Sequence, residues 1–150
     1  MRRAVFPGSF DPITTGHYNI VERAIPLFDE IIIALGSNSQ KKYMLSEEQR
    51  LGLLETAFAG FPTVSVTKYS GLTADFCKER EAGFILRGLR NTVDFNFEQP
   101  IAQMNRSMTN VETVFIISAP EFSGVASSIL RDIHRNGGDI APFLPAGIKI

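Results

Sequence analysis

Short apolar runs alternate along this chain with stretches whose apolar residues recur at helical spacing. Ala4-Val5-Phe6 reads as a first strand, ended by Pro7-Gly8. From about Gly16 the period changes: Ile20, Val21, Ala24 and Ile25 fall at helical spacing, and Pro26 is placed to stop or kink the last turn. Ile31-Ile32-Ile33-Ala34-Leu35-Gly36 is the kind of apolar run that is buried on both faces of a parallel sheet. A polar loop from Ser37 to Lys42 follows. Ser46-Glu47-Glu48-Gln49 then fits a capping box and opens a helix carrying Leu51, Leu54 and Phe58. Further on, the pattern predicts a strand at 64–66, a helix over 72–81, and a strand at Phe84-Ile85-Leu86 that ends in Arg87-Gly88. A longer helix over 94–108, a strand at 114–117 and a last helix over 125–135, closed by Asn136-Gly137-Gly138, complete the chain.

Strand and helix alternate five times, which argues one α/β domain over residues 1–150 with a five-stranded parallel sheet. No linker, repeat or low-complexity stretch divides it. In open sheets of this class, ligands bind beyond the carboxyl ends of the strands. The residues that follow each strand are therefore the place to look for chemistry.

Charge and cysteine content narrow the partners. Lys plus Arg total 15 and Asp plus Glu total 16, a net charge of -1, which gives no support for a nucleic-acid or anionic-membrane partner. Cys77 is the one cysteine, so no intramolecular disulfide forms and a reducing compartment is expected. Pro7-Gly8 and Asp11 interrupt the N-terminal stretch before any signal-peptide core develops. Apolar runs of about five residues are far too short to span a bilayer. The expectation is a soluble, cytoplasmic protein.

After the first strand, Gly8 allows close backbone approach to a ligand, Ser9 offers a hydroxyl, and Thr14 or Thr15 can cap the next helix with His17 in its first turn. Such a helix start is a phosphate site in waiting, although a capped helix with an exposed histidine fits the same residues. After the second strand, Lys41 and Lys42 sit in a loop that reads either as solvated or as a lysine reaching a phosphate. After the fourth, Arg87 and Arg90 flank Gly88 and Leu89, and arginine matches phosphate with a bidentate fork. After the fifth, Val125-Ala126-Ser127-Ser128 opens the last helix, where Ser127 or Ser128 can cap, and makes a second anion site. Asp94 and Glu98 lie four apart, a spacing common on solvated faces. Cys77 reads as core packing and His134 as surface. One Cys and two His exclude a zinc-type ligand cluster, and there is no P-loop.

Gly8-Ser9-Phe10-Asp11-Pro12-Ile13-Thr14-Thr15-Gly16-His17 resembles the T-x-G-H form of the nucleotidyltransferase signature, and Val125-Ala126-Ser127-Ser128-Ile129-Leu130-Arg131 resembles the second signature, I-S-S-T-x-x-R. Ser39-x-Lys41-Lys42, Leu86-Arg87-Gly88-Leu89-Arg90, Asp94-Phe95, Glu98, Met104-Asn105-Arg106 and Phe143-Leu144-Pro145 are similar to the bacterial phosphopantetheine adenylyltransferases in particular. That resemblance implies a doubly wound, Rossmann-like fold and a reaction in which the phosphate of 4′-phosphopantetheine attacks the α-phosphorus of ATP, giving dephospho-coenzyme A and pyrophosphate. It also implies Mg²⁺ and a homohexamer.

Carried over by position, His17 stabilises the transition state. Ser9, Lys41, Thr73 and Arg87 bind the phosphopantetheine side. Ser9, Phe10, His17, Gly88, Leu89, Arg90, Glu98 and the loop Phe122, Ser123, Gly124, Val125, Ala126, Ser127 and Ser128 contact ATP. Ser9 stands where many relatives have threonine, Thr73 where methionine or leucine is common, Ala126 for the first serine of the second signature, and Phe122 for a frequent tryptophan. Two rivals follow from the same residues. One is a nucleotidyltransferase for nicotinamide mononucleotide, or for CTP with an alcohol phosphate. The other is a non-catalytic nucleotide-binding module, which could dispense with His17 and Lys41.

Overall fold

The computed structural model describes residues 1–150. Five parallel strands, β1 (Arg3–Gly8), β2 (Glu30–Gly36), β3 (Val64–Tyr69), β4 (Phe84–Leu89) and β5 (Glu112–Ile117), lie in the order β3-β2-β1-β4-β5. Helices α1 (Thr15–Ala24), α2 (Glu47–Phe58), α3 (Thr73–Glu79), α4 (Thr92–Thr109) and α5 (Ser127–Arg135) connect or follow them.

The core forms because β1 and β2 alternate their apolar side chains between two covered faces. Ala4, Phe6, Ile31, Ile33 and Leu35 join Ile20, Val21 and Ala24 of α1, Leu54 and Phe58 of α2 and Leu130 of α5 in the larger cluster. Ile140, Leu144 and Ile148 of the closing segment pack into it too. Val5, Ile32, Ala34 and Ile85 face the other way, onto Phe76, Cys77, Ala82 and Val111. Both faces of the sheet are thus buried, as the unbroken apolar run in β2 predicts. Cys77 is fully enclosed, and burial pushes its thiol up to about 11, which leaves it an inert packing residue.

The strands run further than the apolar runs that announce them. β1 continues through Pro7 and Gly8, and β4 continues through Arg87, Gly88 and Leu89. Pro7 is tolerated because the ladder between β1 and β4 ends at Val5, so no strand there needs the missing N–H, while the Pro7 carbonyl accepts from Arg87. The chain winds outward from β1 to β3, then crosses back to lay β4 on the opposite side of β1. The switch point between β1 and β4 is where a ligand crevice opens.

Candidate active site

Two clefts meet at that switch point. One, of about 510 Å³, runs from Gly8, Ser9 and Lys41 past Tyr69 and Thr73 to Ile101, Ala102 and Asn105 of α4. The other, of about 520 Å³, holds His17, Gly88, Arg90, Phe122, Val125, Ala126, Ser127, Ser128 and Arg131. Each is large enough for a small-molecule ligand. Pro7, Gly8, Ser9, Lys41, Arg87 and Glu98 line both and form their common wall.

The β1 turn is built tightly. A Cβ on Gly8 would stand 2.9 Å from Cζ of Phe10, so only glycine fits beneath that ring. Phe10 itself takes φ +46°, a conformation unusual for a bulky residue, and its ring packs edge-on against Phe6 and His17. The ring is thereby committed to the core, which leaves any ATP contact of Phe10 to its backbone. Asp11, also buried, accepts from the backbone N–H groups of Met44 and Leu45 at 2.7 and 2.9 Å, tying this turn to the segment after Lys41.

His17 is set by the cap of α1. The Thr14 hydroxyl accepts from the His17 N–H at 3.3 Å, and the Thr14 N–H donates to His17 Nδ1 at 3.1 Å. With Nδ1 accepting, the ring proton of the neutral imidazole resides on Nε2. Burial, reinforced by the charges of Arg87 and Arg90, lowers the His17 pKa to about 4. The residue is a neutral N–H donor at physiological pH, not the exposed histidine of the alternative reading.

The capping residues correct one expectation. At α1 this reciprocal cap takes up the His17 N–H of the first turn. At α5 the N-cap is Ala126, and no side chain caps the helix. Ser127 does not cap because its hydroxyl donates to the carbonyl of Pro12 at 2.8 Å. The first-turn N–H groups of α5 therefore remain free beside the second cleft.

Arg87 and Arg90 are held rather than loose. Arg87 Nε donates to both carboxylate oxygens of Glu98 at 3.1 and 3.0 Å, and its Nη1 donates to the Pro7 carbonyl. Arg90 donates to Asp94 through its backbone N–H, Nε and Nη2 at 2.9, 3.0 and 3.1 Å. Burial alone would raise the Asp94 pKa, but the Arg90 hydrogen bonds and the charges of Arg90 and Arg87 hold it below the usual carboxylate range. Asp94 and Glu98 are thus not a solvated pair; α4 turns both toward the site. Gly88 lets β4 lie close to α1, since a Cβ there would come within 3.0 Å of Ile20.

Lys41 reaches across from the loop after β2, and its Nζ donates to the Ser9 hydroxyl at 3.2 Å. Thr73 lies at the start of α3 with its hydroxyl 2.7 Å from that of Tyr69. Leu89, Ser123 and Gly124 do not reach either wall. The Leu89 carbonyl accepts from Ser118 N–H, and the Ser123 hydroxyl donates to the Pro120 carbonyl. Sequence reasoning missed Tyr69, Asn105 and Arg131 as lining residues. Arg131, whose Nη1 donates to the Asp11 carbonyl at 2.9 Å, stands at the end of the second signature and could have been found there.

The chain matches the cytidylyltransferase-like family model over residues 5–133. It is 53% identical to a phosphopantetheine adenylyltransferase of Flavobacterium psychrophilum and 52% identical to one of Flavobacterium johnsoniae, in each case over 100% of this chain and 99% of the relative. Among solved structures, a bifunctional NMN adenylyltransferase/ADP ribose pyrophosphatase from Francisella tularensis shares the fold, with a TM-score of 0.71 at 17% identity, over 97% of this chain and 45% of that one. Matched over most of its length by that model, and over all of it by close relatives, the chain belongs to the cytidylyltransferase-like family and, within it, to the phosphopantetheine adenylyltransferases.

Proposed function

We propose that the chain transfers AMP from ATP to 4′-phosphopantetheine, yielding dephospho-coenzyme A and pyrophosphate in coenzyme A synthesis. The observation that carries this reading is the common wall of two clefts. A two-substrate transfer needs two sites that open on one point, and here that point carries Ser9, Lys41 and Arg87. The cleft with the free α5 N-terminus and Arg90 suits the triphosphate. The cleft with Tyr69, Thr73, Ile101 and Ala102 suits the longer, partly apolar pantetheine arm.

The acceptor phosphate is already anionic, so the reaction requires no general base. An acceptor oxygen forms a bond to the α-phosphorus as the bond to the pyrophosphate oxygen breaks. The difficulty lies in bringing two anions together in line. Lys41 aims the acceptor phosphate, with Arg87 held beside it by Glu98. His17 donates Nε2–H to the charge that develops on the α-phosphate. Arg90 and the first turn of α5 hold the departing phosphates.

Magnesium belongs with the nucleotide in this scheme. No three His, Cys, Asp or Glu side chains come together to hold a metal, and the carboxylates nearest the clefts are engaged by arginines. An ion bound chiefly through phosphate oxygens and water fits that donor set. When bound there it neutralises charge on the triphosphate.

A homohexamer is proposed with this activity. Val93, Phe97, Ile101, Met104 and Met108 form an exposed apolar stripe along α4, the kind of surface that copies of a chain cover. A cytoplasmic place of action follows from ATP as donor and suits the lone buried Cys77. No helix is long and apolar enough to cross a membrane.

The direct test measures pyrophosphate release with ATP, Mg²⁺ and 4′-phosphopantetheine, beside nicotinamide mononucleotide as control acceptor. Release that depends on phosphopantetheine is expected. Release with the control alone would reassign the acceptor, and none with either would leave a nucleotide-binding module.

A further inference from the structure

Arg50 is a buried cation that the transfer reaction itself does not explain. It lies on the inner face of α2 with only 2% of its surface exposed. Its Nη1 donates to the Ser9 carbonyl at 2.9 Å, while its Nε has no hydrogen-bond partner. No carboxylate pairs with it within 4.0 Å; instead its guanidinium carbon lies 3.8 Å from the ring centroid of Tyr43. The same ring receives Lys41, whose Nζ lies 5.6 Å from the centroid. Lys41 in turn donates to the Ser9 hydroxyl at 3.2 Å. The contacts close a loop: Ser9 carbonyl to Arg50, Arg50 to Tyr43, Tyr43 to Lys41, and Lys41 back to the Ser9 hydroxyl.

An otherwise exposed lysine gains two restraints from this loop. Its stem carries large rotamer entropy, which an acceptor phosphate would otherwise have to quench on binding. The Tyr43 quadrupole attracts both cations and offsets their mutual repulsion, so a lysine and an arginine share one ring. Arg50 fixes that ring and the Ser9 backbone from below.

We propose that Tyr43 and Arg50 are positioning residues that preorganise Lys41 over Ser9 for the acceptor phosphate. The inference rests on the reading of Lys41 as the acceptor's partner, and its test separates the two. Pyrophosphate release is measured at saturating ATP and varied phosphopantetheine for the wild type, Lys41→Ala, Tyr43→Leu, Tyr43→Phe and the double variant Lys41→Ala/Tyr43→Leu. Tyr43→Leu is expected to raise the phosphopantetheine KM about three- to tenfold, the size of a lost cation–π contact, with kcat and the ATP KM little changed. Tyr43→Phe, which keeps the ring, restores the wild-type value.

In the Lys41→Ala background the Tyr43→Leu change is expected to add less than about twofold, because a residue that acts through Lys41 has nothing left to position. A full multiplication there would mean direct contact between Tyr43 and the acceptor and would overturn the proposal. So would a Tyr43→Phe variant as impaired as Tyr43→Leu. Arg50→Lys, which keeps the charge but loses the planar stack, gives a second route: unchanged acceptor KM in both it and Tyr43→Leu refutes the proposal. A normal acceptor KM in Lys41→Ala would instead remove the reading of Lys41, and the positioning role with it.

Discussion

At the scale of the residue, His17 carries the sharpest chemical commitment. Its Nδ1 accepts from Thr14, so it offers a neutral Nε2–H, and its pKa of about 4 keeps it in that state at pH 7. An NMR titration of the ring should give a midpoint near that value; a midpoint at the ordinary 6.5 would mean that the imidazole is solvated and free. The shift also has a sign for stability. Between pH 6.5 and 4 the unfolded chain takes up a proton that the folded chain refuses, so unfolding free energy falls as pH drops through that window. Denaturant unfolding of His17→Ala should show a shallower loss over the same interval. In catalysis, His17→Ala should lower kcat by about 10²- to 10³-fold while ATP affinity changes little, because in the proposed mechanism the donor acts on charge that develops only in the transition state. Weakened ATP binding at normal turnover would contradict that role.

At the scale of the element, the two helix starts that face the clefts divide their labour. α1 is capped by its own threonine and histidine, which fixes the imidazole ring. α5 begins at Ala126 with no side-chain cap, which leaves its first N–H groups for the phosphates of the proposed reaction. An uncapped helix end is less stable than a capped one. Ala126→Asn supplies an acceptor at a position with extended backbone, φ -134° and ψ 138°. It should raise stability by up to about 1 kcal/mol, read as a higher Tm, while raising the KM for ATP. A higher Tm with unchanged ATP KM would show that the α5 start does not hold phosphate.

At the scale of the whole molecule, α4 serves two ends. One side presents Asp94 and Glu98 to the site arginines, and another presents the exposed apolar stripe. The stripe adjoins the clefts, since Val93 and Phe97 border one and Ile101 the other. Met104→Glu, which touches neither cleft, should break the proposed hexamer into smaller species by light scattering, as a charge buried at an apolar interface is strongly disfavoured. A wild-type chain that is monomeric at every concentration would remove the hexamer.

Periodicity and residue type alone determined the order of strands and helices, the doubly covered β2, the capping box at Ser46 and the places after β1, β2, β4 and β5 where chemistry gathers. These are local properties: an apolar run, a cap or a glycine turn is specified by neighbours in sequence. The tertiary structure decided what local pattern does not encode. Alternation of apolar residues does not say that polar Arg87 continues a strand, so β4 ran past its expected end. Four-residue spacing does not say which face of α4 is covered, so Asp94 and Glu98 read as solvated until β4 was laid against that helix. A serine at a helix start can cap or can turn away, and only the approach of Pro12 settles that Ser127 turns away. The partnership of Ser9, Lys41, Tyr43 and Arg50 joins residues from the β1 turn, the β2 loop and α2. It exists only because the parallel sheet brings the ends of β1 and β2 side by side.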